Sequence, residues 1–152
     1  MSAPATYDLN AIFDAIAALM QGLETGVELD GQAQTITAYS EVLGNIQAPA
    51  VVLELDDVTY DLAMGNGADG ISIVATCLIQ TADDKTAQRA LRTFMSRQET
   101  AGVARLKAVM DEDPMLGGLV SFLQFGTVRR VGKLRYDEVD YLGAELIFEV
   151  MS

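Results

Sequence analysis

Gly65, Gly67 and Gly70 follow one another in the order G-x-G-x-x-G within "YDLAMGNGADGISIVATCLIQ". In a dinucleotide-binding loop, glycines at that spacing bring backbone N–H groups to a pyrophosphate seated on the N-terminus of the next helix. The chemistry therefore needs a strand before the glycines and a helix after them. "VTYDLAM" can supply the strand. The residues after Gly70 do not suit the helix, because Ile71, Ile73, Val74, Thr76 and Ile79 are β-branched and favour strands. Ile71, Ile73, Ala75, Cys77 and Ile79 also fall on one side at period two, with Ser72, Val74, Thr76, Leu78 and Gln80 on the other. The Asn-Gly and Asp-Gly pairs tolerate positive φ and signal a hairpin. The segment is expected to turn the chain between two strands and to bind no nucleotide.

Carboxylates offer a second possible chemistry. "LELDDVTYD" brings Glu54, Asp56 and Asp57 together, and in a strand Glu54 and Asp56 share a face while Asp57 points away. "DEDP" groups Asp111, Glu112 and Asp113 at a helix end. Either cluster has the oxygen ligands a divalent cation takes. Neither has the D-x-[DN]-x-[DN]-G spacing of a calcium loop, so both are read as solvated faces. No G-x-S-x-G and no G-x-x-x-x-G-K-[ST] occurs. The chain has no histidine and one cysteine, Cys77, which excludes an intrachain disulfide, a histidine-based triad and a His/Cys zinc site. Cys77 alternates with Ile73, Ala75 and Ile79 and reads as a small buried hydrophobe. No residue is assigned a catalytic, cofactor-binding or metal-ligating role.

The elements that must carry these residues follow from periodicity. Leu9, Ile12, Phe13, Ile16, Met20 and Leu23 recur at spacings of three and four, which predicts an amphipathic helix over about 8–24. Asp8 suits its start and Gly26 lies just past its end. "ETGVELDGQAQ" reads as a polar loop. "TITAYSEVL" reads as a strand, and "AVVLELDDVTYDLAM" as another that bends near Asp56 and Asp57. The strand 71–81 comes next. In "TADDKTAQRALRTFMSRQ" the period changes: Asp83 or Asp84 can cap a helix whose inner face is Ala87, Ala90, Leu91, Phe94 and Met95. Lys85, Arg89, Arg92 and Arg97 fall on the outer face. "AGVARLKAVMDEDP" gives a shorter helix with Val103, Leu106, Val109 and Met110 inward, ended by Pro114 and Gly117-Gly118. "LVSFLQFGTVRRVGKLRY" and "VDYLGAELIFEVMS" are the last strands, joined around "DE". The expected fold is α+β, a mainly antiparallel sheet with helices packed on one face, in the order α-β-β-β-α-α-β-β.

At 152 residues this is the length of one domain, with no internal repeat or boundary, so a single domain over 1–152 is expected. Half the residues are hydrophobic, yet no apolar run approaches a membrane span and the N-terminus lacks a basic n-region. A soluble intracellular protein without a membrane partner is expected. The net charge of −12 is unevenly placed. Residues 1–84 carry thirteen acids and no base, while residues 85–152 carry ten bases and nine acids. No basic surface for nucleic acid is evident. The split suits one copy of the chain orienting against another.

The later half carries a resemblance. "PAVVLELDDVTYDLAMGNGADGISIVATCLI" is followed by "TADDKTAQRALRTFM", then "VMDEDPMLGGLVSFLQFGTV" and finally "VDYLGAELIFEV". Over about residues 49–151 this arrangement resembles the tail terminator family of long-tailed bacteriophages, also called minor tail or neck proteins. The most specific pieces are Asp83-Asp84 opening a helix, D-P-x-L-G-G at Asp113 to Gly118, and V-D-Y-L-G-A-E at Val139 to Glu145. The resemblance implies a virion protein, assembled in the host cytoplasm, without catalytic centre or cofactor. It implies a six-membered homo-oligomeric ring on the tail tube that stops tube growth and joins the head-completion or neck protein. Genomic DNA would pass through the lumen without specific binding, and an acidic lumen would favour that. Arg89, Arg92, Arg129 and Arg130 are the candidate subunit-interface residues. Two alternatives stand beside this reading: an adjacent head-completion or stopper connector, and a small acidic metal-dependent enzyme.

Overall fold

Asp8 caps the first helix. Its carboxylate accepts the Asn10 N–H at 2.9 Å, satisfying one of the donors that a helix N-terminus leaves open. Helix α1 (Leu9–Met20) then buries Ile12, Ile16, Ala17 and Met20 along one stripe. It ends about one turn before the expected limit. Gly22, at φ 80°, lies past its end, and Gly26 instead falls inside the next strand. The computed structural model describes residues 6–29, 31–42, 44, 46–60, 68–82 and 85–152.

The stretch expected as a polar loop forms two antiparallel strands, β1 (Glu24–Leu29) and β2 (Gln32–Thr35). A two-stranded ribbon is marginal alone and exposes much of its surface, so polar residues suit it and hide it from a hydrophobicity reading. Thr25 anchors it from within. Fully buried, its hydroxyl donates to the Gln34 carbonyl at 3.1 Å and accepts the Val27 N–H at 3.1 Å. The strand expected over "TITAYSEVL" is correspondingly divided: Thr35 ends β2, and β3 (Thr37–Tyr39) begins after the buried Ile36.

β3 runs parallel to β4 (Ala50–Thr59), which pairs antiparallel with β5 (Gly70–Thr81). β5 pairs antiparallel with β7 (Val139–Met151), and β7 with β6 (Phe122–Tyr136), giving the order β3-β4-β5-β7-β6. The α+β class and the mainly antiparallel sheet are as expected. The element order gains the β1–β2 pair. Residues 61–67, with Gly65 and Gly67, lie outside the described residues. Gly70 faces Thr59 in an antiparallel register and opens a strand, so the glycines lead into β5 and not into a helix. Asp83 and Asp84 also lie outside the described residues. Helix α2 (Ala87–Met95) has Thr86 at its N-cap, without a side-chain cap bond.

One face of the sheet carries helices α1, α2 and α3 (Gly102–Glu112). Ile71, Ile73, Ala75 and Cys77 of β5 and Leu146, Phe148 and Val150 of β7 meet Ile12, Ile16, Phe94, Leu106 and Met110 there. The Phe125 and Phe148 rings stack at 4.9 Å with a 41° tilt across the β6–β7 pair, a contact worth about 0.5–1.5 kcal/mol beyond its buried area. The other face is not simply solvated. Val52, Val74, Leu78 and Ile147 are buried on it. Val52 and Thr76 share a cleft with Val131, Leu134 and Tyr136 of β6, whose far half curls over that side.

The resemblance motifs are turns and close approaches. In D-P-x-L-G-G the Asp113 carboxylate accepts the Gly117 N–H at 3.0 Å. Gly117 and Gly118 adopt φ 66° and 98°, which glycine takes without a steric penalty, and Leu116 plugs the core. In V-D-Y-L-G-A-E, a Cβ on Gly143 would collide with the Cys77 carbonyl of β5, so the close pairing of β7 with β5 beside Leu78 requires glycine.

Candidate interaction surface

The charged residues of β6 come from a short run, "VRRVGKLRY", in which cations recur on a single strand. β6 slips its register twice against β7, once between Phe125 and Thr127 and again between Arg129 and Gly132. At the second slip Arg130, at φ 53°, and Val131 occupy an interval where β7 has only Ala144. Such a bulge strengthens the local twist, consistent with the curl of the hairpin arm. The arm closes at Asp137 and Glu138, both at positive φ, where the join around "DE" was expected.

Two carboxylates on β7 organise the four cations of the arm. Glu145 lies 3.0 Å from the Arg129 Nε and 3.6 Å from Arg130. Asp140 lies 3.3 Å from the Lys133 Nζ and 3.8 Å from Arg135. Each acid thus serves two bases, which leaves the stem of the arm with a net charge of +2. The two acids of the turn sit beyond it at the tip. The cation side chains are 48–68% exposed, so each pair holds only about 0.2–1 kcal/mol and the bases remain accessible to a partner.

Lys133 stands where three clefts meet. One, of about 520 Å³, lies against Thr81 and the hairpin tip. A second, of about 580 Å³, is the curled outer cleft with Arg130, Arg135, Glu54 and Glu145. The third, of about 440 Å³, separates α2 from the arm and is lined by Gln88, Leu91, Arg92, Gly132 and Leu142.

The opposite side of the sheet is acidic. β3 covers only Ala50–Val52 of β4, so from Leu53 onward that side of β4 has no strand partner among the described residues. Glu54, Leu55, Asp56 and Asp57 are all exposed there. A register shift against β5 falls between Leu55 and Asp57, where the strand was expected to bend. The Ser72 hydroxyl donates to Asp56 at 3.4 Å, and none of the three acids forms an ion pair among the described residues.

The four arginines singled out from sequence are not one patch. Arg129 and Arg130 lie together on Glu145, while Arg92 lines the α2 cleft with Lys133. Arg89 lies apart, in a cleft of about 210 Å³ beside Gly26, Val27 and Glu28 of β1. Lys133 and Arg135 were missed, although the density of bases in "VRRVGKLRY" was the available signal. Their acid, Asp140, comes from the paired strand and carries no local signal. Cys77 is fully buried, and burial pushes its thiol above the ordinary range. Among the described residues no group of three or more His, Cys, Asp or Glu side chains is placed to hold a metal ion. No described helix is long and apolar enough to cross a membrane. No family model matches the chain, and no curated protein matches it in sequence.

Proposed function

We propose that this chain is a structural assembly protein of a bacteriophage virion. It forms a closed homo-oligomeric ring that caps the tail tube and joins it to the neck. The ordered resemblance of its later segments supplies the family. The observation that carries the reading is the uneven charge of the exposed surface, with accessible acids along β4 and accessible bases along β6. Exposed surfaces of unlike sign on one subunit suit head-to-tail contacts, which close into a ring where the rotation permits. A tube end re-exposes its docking surface after every added layer. A ring that matches the tube on one face and differs on the other stops that repetition, and its many weak contacts act at once. No covalent step is required.

A lysate carrying an early stop codon in this gene tests the reading by electron microscopy. DNA-filled heads without tails, beside unjoined tubes of which some are over-long, are expected. Normal, tailed, infectious particles would overturn it. A connector one position further up the neck would leave tubes of regular length.

A further inference from the structure

We infer that the four bases of β6 keep the free side of that strand from pairing with the β6 of a second copy of the chain. The inference is independent of the ring reading. β6 is the last strand of the five-stranded sheet, and its fifteen residues far exceed the usual length of about five or six. Among the described residues no strand covers its outer side, and such a side offers unpaired N–H and C=O groups to any extended chain. Its composition adds to the hazard. Phe122, Phe125, Thr127, Val128, Val131 and Tyr136 favour extended pairing, and Phe122 and Val131 leave 47% and 53% of their surface exposed. Apart from Arg129, Arg130, Lys133 and Arg135, the strand has no charge, and it has no proline. Without those bases it would have the character of a segment that stacks with copies of itself.

The bases stand where they oppose that pairing. Glu145 and Asp140 are five residues apart on β7, so they lie on opposite faces of the sheet. The bases they hold, Arg129 with Arg130 and Lys133 with Arg135, therefore flank the edge on both faces. Each pair shares one acid, so positive charge remains on each face. A second β6 laid antiparallel against the first would set bases against bases, and like charges on opposed strands are destabilising. Asp137 and Glu138 do not relieve this, because both sit in the turn at positive φ, beyond the end of β6. Two further features guard the first half of the strand. Its register slips interrupt a flat ladder. Lys107 of α3, held 3.0 Å from Asp111, donates to the Phe125 carbonyl at 3.1 Å and occupies an acceptor at the first slip. The bases do not serve solubility through net charge, since a chain at −12 moves further from neutrality when it loses them.

The variant Arg130→Asn/Arg135→Gln tests this. It leaves one base on each acid, Arg129 on Glu145 and Lys133 on Asp140, and asparagine suits the positive φ of position 130. The stem of the arm becomes neutral while the whole chain moves from −12 to −14, so net charge alone would disfavour association. Thioflavin T fluorescence and sedimentation velocity are expected to show strand-paired aggregates of the variant at concentrations about tenfold below any at which the native chain forms them. Arg130→Lys/Arg135→Lys keeps the charge and should behave as the native chain. Arg89→Gln/Arg97→Gln removes the same charge from exposed positions outside β6 and should also behave as the native chain. Circular dichroism and thermal melts before incubation establish that each variant is folded. Should the double variant melt lower, Arg135→Gln alone, which leaves the bulge untouched, carries the test with a smaller shift in the same direction. A folded neutral variant that aggregates no more readily than the native chain overturns the inference. Equal aggregation of Arg89→Gln/Arg97→Gln overturns it as well, because the effect would then not belong to the edge.

Discussion

Tyr7 shows how one contact near the start of the described chain sets a chemical property. Its phenol donates to the Asp69 carboxylate at 2.7 Å, linking the approach to α1 with the start of β5. That hydrogen bond, then burial, then the negative charges of Asp69 and Tyr60, push the phenol from 10.0 up to about 12. The fold thus favours the protonated phenol. The contribution of this contact is complete below pH 10 and is lost as the pH rises through about 12. In an ultraviolet titration of the five tyrosines, one phenolate is expected to appear last, near pH 12. Tyr7→Phe should remove that late phase. A late phase that persists in Tyr7→Phe would assign the shift elsewhere.

At the scale of elements, β7 is the strand on which the sheet depends. It lies between β5 and β6, and its inner residues Leu146, Phe148 and Val150 are almost wholly buried. Gly143 lets it pair closely with β5 beside Leu78. Gly143→Ala must displace the Cys77 backbone rather than a flexible side chain, and overpacking of this kind costs about 1–3 kcal/mol. Gly126 in β6 has open space where a Cβ would stand, so Gly126→Ala is the control and should remain within about 0.5 kcal/mol of the native chain. Urea denaturation of the two variants measures the difference. Equal midpoints would show that the β5–β7 pairing relaxes there without cost. The small β1–β2 pair works differently, since it borrows stability by packing on α2 and α3.

The whole molecule is defined by where its charge lies. Thirteen acids precede the first base in sequence, and the fold converts that order into an acidic β4 edge and a basic β6 arm. Association through these surfaces should weaken on moving from about 0.05 M to about 0.5 M salt, because the screening length falls below about 10 Å. Sedimentation across that range is the measurement. A stable two-fold dimer indifferent to salt would contradict the head-to-tail arrangement. Individual pairs are weak, so the ring is expected to be labile in free solution and firm only on a tube that presents all docking sites together.

Periodicity by itself determined that a helix starts near Leu9, though not its end at Met20, together with the strand after Gly70 and the alternation of Leu146, Phe148 and Val150, because each buries one face against a large apolar core. The asymmetry of charge was also legible, as was the inward setting of Cys77. The β1–β2 ribbon was not, since a ribbon held by the Thr25 hydroxyl has little hydrophobic pattern to betray it. Nor was the grouping of Arg129 with Arg130 on Glu145, or of Lys133 with Arg135 on Asp140. Those pairs join residues of different strands, and their partners depend on a register that two slips in β6 shift. Only the tertiary structure decided that Arg92 shares a cleft with Lys133 while Arg89 does not. One helical turn separates the two arginines in sequence, but side chains three apart on a helix differ by about 60° in direction. That rotation places one over the β6–β7 arm and the other beside β1.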